Sequence, residues 1–316
     1  MTGPRAHDYP APHSLARVFV TIFFASLVFL GAGFPGSVVA EITLRQANGE
    51  ILKLPAPAKR IITLAPNLAE LVFAAGAGDR LQAVVEYSDF PAPVLQIPRI
   101  GDAFRIDLER IIELEPDLVI AWNSGNPQSA LQKLQQLGIT VWQMEITRPE
   151  EIADAVEDIS FAAGTQAHGQ AVAEQLRSRL SALVQQNAAK IPVKFFYQIA
   201  ARPLYTVNGQ HIISRSIEIC GGRNVFANLQ ALAPQVSRES VILANPQAMI
   251  APQIPGEPKA LRAWHDWPRL QAVQNKAMLY LPADDISRAA PRLLDSIELI
   301  CTLLDKVRRT TNLEKP

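Results

Sequence analysis

From residue 42 onward the chain alternates between short blocks of two-residue and helical periodicity. ITLRQANGEILKLP, residues 42–55, alternates apolar and polar positions around Asn48-Gly49, the pattern of a β-hairpin. PAPAK follows as a stiff connector, RIITLAP reads as a strand, and NLAELVFAAGAG reads as a helix capped by Asn67 and stopped by glycine. LQAVVEYSDFP is a second strand, ended by Asp89 and Pro91. DLERIIELEPDLVIAW is a helix opening at Asp107 and running into a strand, and SALQKLQQLGITVWQM repeats that unit. Residues 147–163 predict a further helix, with Thr147 and Glu150 in a capping-box arrangement. A long run of helix formers follows, with Ala167, Ala171, Leu176, Leu180 and Leu183 along one stripe. At 1.5 Å per residue, a helix of about 25 residues is roughly 37 Å long, the height of a small domain. IPVKFFYQIA restarts the strand pattern, and the second half ends in a helix over residues 295–308. Strands alternating with helices predict an α/β fold with parallel sheets.

The two halves resemble each other. DLERIIELEPDLVIA (107–121) and SRESVILANPQAMIA (237–251) align without gaps, pairing Glu109 with Glu239 and Pro116 with Pro246. In each, a capping residue opens a helix and a glutamate sits in its first turn, where the helix dipole favours a negative charge. The proline then ends the helix before an apolar strand. This shared grammar points to a duplicated lobe.

Residues 1–40 are of another kind. Arg5 and Arg17 precede the apolar run VFVTIFFASLVFLGAG, and SVVA offers small residues up to Ala40. That is the layout of a cleaved secretory signal. The alternative is an uncleaved membrane anchor, for which the run is short, since a bilayer span takes roughly 20 residues. Gly31, Gly33 and Gly36 spell a dinucleotide-binding fingerprint. It follows no strand and opens no helix, so it carries no function. Without residues 1–40, 28 basic side chains face 29 acidic ones, a balance that gives no reason to expect nucleic acid as partner. Cys220 and Cys301, the only cysteines, both lie in the exported part and read as a disulfide.

Catalytic motifs are missing: no G-x-S-x-G elbow, P-loop or C-x-x-C occurs. His168, His211 and His265 make no metal-ligand spacing and read as solvated. Asp284 and Asp285, read as strand neighbours, would point to opposite faces and form no acid–base pair. A secreted enzyme on this scaffold would need a nucleophile–base pair or a metal cluster that the sequence does not offer. Strand ends are richer. Tyr87 ends the second strand, Phe104 sits in the loop GDAFRID, and Trp122 follows the strand LVIA; Tyr205 and the segment Asp284, Asp285, Arg288 are their counterparts in the second half. Ligands of open parallel sheets bind at the strands' carboxyl ends, so these residues outline an apolar cleft with a few polar groups. Trp122 alone could equally plug the core.

KRIITLAPNLAELVFAAGAGDRLQAV, YSDFP, IAWNSGN, EICGGRNVF, PQVSRE and DDISRAAPR resemble the periplasmic substrate-binding proteins of ABC importers for cobalamin, siderophores and haem, above all the cobalamin-binding members. The resemblance spans residues 42 to about 308. It implies two parallel-sheet α/β lobes, residues 41–164 and 191–316, bridged by one long rigid helix over 165–190. It also implies a periplasmic monomer without cofactor, with the ligand held between the lobes. Tyr87 and Trp122 would contact cobalamin from the first lobe, and Asp284 to Arg288 would hydrogen-bond its amide-bearing rim from the second. Glu109 and Glu239 match the two glutamates that dock to arginines of the permease–ATPase complex. A ferric siderophore would call on Arg105, Arg202 and Arg288, and haem on Tyr87 or Tyr205 as axial ligand. Ala103 and Ala233 stand where cobalamin-binding members carry tryptophan, and Asp285 where they carry an aromatic residue. Trp264 and Trp267 are the candidates to replace those rings.

Overall fold

The computed structural model describes residues 41–311, so the export signal expected over residues 1–40 lies outside the described residues. The hairpin forms as its alternation requires: β1 (Ile42–Arg45) and β2 (Ile51–Leu54) pair antiparallel, Ile42 opposite Leu54. The turn between them places Gly49 at φ +87°, where a side chain would be strained. The chain continues through β3 (Ile61–Thr63), α1 (Pro66–Ala74), β4 (Leu81–Ala83), α2 (Leu108–Glu113), β5 (Leu118–Trp122), α3 (Gln128–Gln136), β6 (Val141–Met144) and α4 (Glu151–Ala163). The first sheet has strand order β4-β3-β5-β6 and is parallel throughout. After α5 (Gln166–Asn187) come β7 (Val193–Tyr197), the small hairpin of β8 (Ala200–Ala201) and β9 (Leu204–Tyr205), α6 (Ile212–Ile219), β10 (Gly222–Asn224) and α7 (Arg238–Ala244). The chain ends with β11 (Ala248–Gln253), α8 (Gln271–Gln274), β12 (Met278–Pro282), α9 (Ala283–Ser287) and α10 (Leu293–Thr310). The second sheet, β10-β7-β11-β12, is also parallel.

The internal repeat holds in three dimensions. The Asp107 carboxylate accepts the Arg110 amide at 3.0 Å to start α2, and the Ser237 hydroxyl accepts the Ser240 amide at 3.1 Å to start α7. β5 and β11 take the same place in their sheets, and their side chains alternate alike. Leu118 and Ile120, like Ala248 and Ile250, face one shared core. Val119 and Ala121 turn to a separate core of the first lobe, and Met249 and Ala251 to one of the second.

The shared core is continuous through α5. Leu176, Leu180 and Leu183 share this core with Ile152, Val156 and Ile159 of α4 and with Phe195, Ile217 and Leu304 of the second lobe. The polar face of α5 also reaches both ways. Arg177 pairs with Asp154 and Glu157 at 2.7 and 2.6 Å, and Arg179 with Asp295 and Glu298 at 2.7 and 2.8 Å. Cys220, ending α6, is joined to Cys301 on α10.

Several local expectations need correction. Pro66, not Asn67, begins α1, because proline lacks the N–H that a first helical residue leaves unpaired. Thr147 does not cap α4: the helix starts at Glu151, four residues later than expected, and it is the Glu151 carboxylate that reaches back to accept the Thr147 amide at 2.7 Å. β4 ends at Ala83, so Tyr87 lies beyond the strand, in the chain reversal at its end. Asp284 and Asp285 belong to the first turn of α9, not to a strand.

Candidate functional site

The carboxyl ends of β3, β5 and β6 open onto a cleft of about 300 Å³. Its first-lobe wall is the start of α1 with Trp122, Ser124 and residues 144–147; its second-lobe wall is residues 210–212, Leu232 and residues 287–289. Trp122 is the last residue of β5, and its indole is 37% exposed. The ring lies over Gly125 so closely that a Cβ there would come within 1.8 Å of the ring atom Cε3. Its N–H donates to the Glu145 carboxylate at 3.1 Å, and the Ser124 amide and hydroxyl donate to the same carboxylate at 2.9 and 3.0 Å. One indole edge is thereby fixed while part of the ring stays open.

Beneath the turn lies Asn126, 4% exposed. Its side-chain amide donates to the carbonyls of Leu64 and Ala103, both at 2.8 Å, and its carbonyl accepts the Trp122 amide at 2.7 Å. A single buried side chain thus joins the end of β3, the loop carrying Phe104, and the end of β5. Asn126 and Glu145 were not singled out from sequence, although Asn126 closes the quoted turn WNSGN.

Tyr87 is 77% exposed and Phe104 70% exposed, both on the first lobe. Tyr87 has φ +64°, a backbone conformation uncommon for a bulky residue and found where surroundings impose it. Arg99 holds the following loop from within the lobe, donating to the carbonyls of Ser88, Val94 and Ile97 at 2.7, 3.1 and 2.8 Å. Arg288 reaches the same loop from the second lobe, donating to the Tyr87 carbonyl at 3.1 Å and to Asp89 at 2.6 Å. Arg288 also pairs with Asp284 at 2.8 Å, while Asp285 pairs with Arg292 at 2.7 Å. Burial opposes ionisation of Asp89, but the hydrogen bond and charge of Arg288 outweigh it and hold this carboxyl below the usual range. Of the residues expected at the ligand site, Trp122 and Arg288 line the cleft; Tyr87, Phe104, Tyr205, Asp284 and Asp285 do not line it.

The second-lobe wall holds a residue that the sequence reading set aside. His211, read as solvated, instead caps α6 and lines the cleft; its Nδ1 accepts the Ile213 amide at 3.2 Å. Burial lowers its pKa, so the ring is neutral, and with Nδ1 accepting, the proton sits on Nε2. Trp264 and Trp267 do not replace the missing rings. Trp264 is core, edge-on to Phe196 with its N–H on Gln198 at 2.8 Å, and Trp267 lies away from the cleft. A larger depression, about 850 Å³, lies beside β10 and the end of α5 and includes none of these residues. Among the described residues, no group of three or more His, Cys, Asp or Glu could hold a metal ion. Glu109 and Glu239 are exposed in the first turns of α2 and α7. The backbone amide and the Ser237 hydroxyl keep the Glu239 carboxyl below its ordinary value.

The profile of the periplasmic binding protein family matches residues 61–284. The vitamin B12-binding protein of Vibrio cholerae serotype O1 is 40% identical over 258 residues, covering 80% of this chain and 92% of that protein. The crystal structure of the periplasmic vitamin B12-binding protein of Vibrio cholerae superposes with a TM-score of 0.74, covering 80% of this chain and 99% of that one. The periplasmic haem-binding protein of Vibrio cholerae shares the fold at 24% identity, with a TM-score of 0.68 over 78% of this chain and 98% of that one. With two parallel sheets, a bridging helix and a cleft at the strand ends, this chain belongs to the periplasmic binding protein family.

Proposed function

We propose that the chain is the substrate-binding component of an ABC importer and carries cobalamin in the cleft between its lobes, as a binding protein and not an enzyme. The observation that supports this most is Trp122, fixed by Glu145 and Gly125 at the mouth of a mostly apolar cleft, in a chain 40% identical to a vitamin B12-binding protein. A corrinoid is large, partly apolar and fringed with amides. It exceeds a 300 Å³ cavity, so on this reading it rests on the cleft and spreads over the exposed rings of Tyr87 and Phe104. Gln210 and Ser287 would face its fringe, and Asp284, exposed beside Arg288, would accept from an amide. Tyr205 would sit further out on the second-lobe rim.

Charge argues against a ferric siderophore. Such anions need free converging arginines, and Arg288 is already neutralised by Glu70, Asp89 and Asp284. Haem needs an axial ligand, but Tyr87 and Tyr205, the tyrosines expected to serve, do not line the cleft, and the cleft histidine has its Nδ1 on a backbone amide and its proton on Nε2. Glu109 and Glu239 would dock to arginines of the permease, one from each lobe. On this reading the exported chain is a periplasmic monomer with lobes over residues 41–164 and 191–316 and residues 165–190 between them.

Isothermal titration of residues 41–316 with cyanocobalamin, haemin and a ferric hydroxamate tests the proposal. Saturable one-to-one binding of cyanocobalamin alone is the expected result. Binding of haemin or the hydroxamate in its place would overturn it.

A further inference from the structure

Glu70 lies on α1 of the first lobe, with its side chain only 2% exposed. Among the described residues, its carboxylate finds its hydrogen-bond donors only in the other lobe. Arg288 donates to it at 3.0 Å, and Arg292 at 2.9 and 2.7 Å through two nitrogens. A buried carboxylate left unpaired is strongly unfavourable, so the lobes must stay close enough for both guanidinium groups to reach it. Arg288 simultaneously holds the Tyr87 carbonyl and Asp89, the loop bearing the most exposed rim aromatic of the first lobe. Arg292 also stacks over the Phe90 ring in that loop, 4.3 Å from its centroid.

We propose that Glu70 is a positioning residue for the cleft: through Arg288 and Arg292 it sets the spacing of the lobes at the cleft and holds the Tyr87 loop against the second lobe before any ligand arrives. The shared core around α5 joins the lobes by apolar packing, whereas this carboxylate joins them by charge, through an arginine that lines the cleft. The consequence for affinity rests on the cobalamin reading above; the consequence for lobe spacing does not.

The test is a distance distribution in the absence of ligand. Spin labels at Leu137→Cys and Leu243→Cys, exposed positions on the first and second lobes, report the separation, because Cys220 and Cys301 are tied up in their disulfide. Glu70→Gln leaves two arginines without their shared carboxylate and could fail to fold. Glu70→Gln combined with Arg292→Gln removes opposite charges together and provides the second variant; thermal unfolding by circular dichroism verifies that each is folded. A broader or shifted distribution is expected in the folded variants, with cyanocobalamin bound about tenfold more weakly and partial recovery of both in Glu70→Asp. A purely local packing role would lower the melting temperature and leave the ligand-free distribution unchanged, and that result overturns the proposal. If the parent protein fails to bind cyanocobalamin, the functional reading falls while the distance distribution still decides the role of Glu70.

Discussion

Asn126→Asp is the most discriminating single change in the cleft wall. The replacement keeps the shape and the acceptor for the Trp122 amide, but turns the donor toward Leu64 and Ala103 into a second carboxylate oxygen facing two carbonyls. Each buried carbonyl that loses its donor costs about 1–3 kcal/mol, and the site is 4% exposed, so water offers little relief. A loss of about 3 kcal/mol at neutral pH follows, roughly 6–12 °C in melting temperature for a chain of this size. Protonation restores one donor, so the folded state raises the pKa of the introduced carboxyl from about 4 to about 6, at ~1.4 kcal/mol per pH unit. For an acid with a raised folded pKa, the pH-dependent part of the penalty is absent below the unfolded value, grows as pH rises, and levels off above the folded value, on top of a constant cost for the carbonyl that protonation leaves without a donor. Urea unfolding of variant and parent from pH 4 to 8 should therefore show a stability gap that opens over about two pH units. A gap under ~0.5 kcal/mol at pH 7, or one that stays constant toward pH 4, would refute the assignment of this amide as the tie between the loops.

Trp122→Ala should weaken cyanocobalamin binding by about 2 kcal/mol, roughly 30-fold, with little change in melting temperature; calorimetric titration checks the first and thermal unfolding the second, and an unchanged affinity would remove Trp122 from the ligand site. Gly125→Ala, which pushes the indole off its seat without deleting it, should weaken binding in the same assay, and native affinity there would mean the ring position is immaterial. Glu109→Lys and Glu239→Lys should leave ligand affinity intact and abolish uptake in vesicles containing the importer, each alone being harmful; normal uptake with both replaced would end the docking reading. Replacing Cys220 and Cys301 by alanine should lower stability by about 4 kcal/mol on the loop-entropy model for an 81-residue separation, measured by urea unfolding, with less than 1 kcal/mol arguing for a compact unfolded state.

What the sequence revealed and what it hid divide by range. The capped starts of α2 and α7, the parallel strands β5 and β11 and the long α5 are written in neighbouring residues, so periodicity and caps found them. Trp122 was legible as a strand-end ring, but its fixation by Glu145, 23 residues on, was not. Asp284 to Arg288 read as free hydrogen-bonding groups because the partners that occupy Arg288, Glu70 and Asp89, lie about two hundred residues away. His211 looked solvated because a single histidine in a loop gives no hint of the helix start that buries it. Trp264 could not be placed, since its partner Gln198, just past the end of β7, is brought near only by the fold.

The core that runs through α5 has a consequence for what counts as a unit of this protein. Phe195, Ile217 and Leu304 are buried in the same core as Ile152, Val156 and Ile159, together with the leucines of α5. A gene fragment cut after residue 190 or before residue 165 would leave one lobe with an uncovered apolar face and no helix to close it. The two lobes should therefore appear together in hydrogen exchange, as a single slowest-opening unit. Fusion partners and reporter insertions belong in surface loops, not at the apparent seam between the lobes.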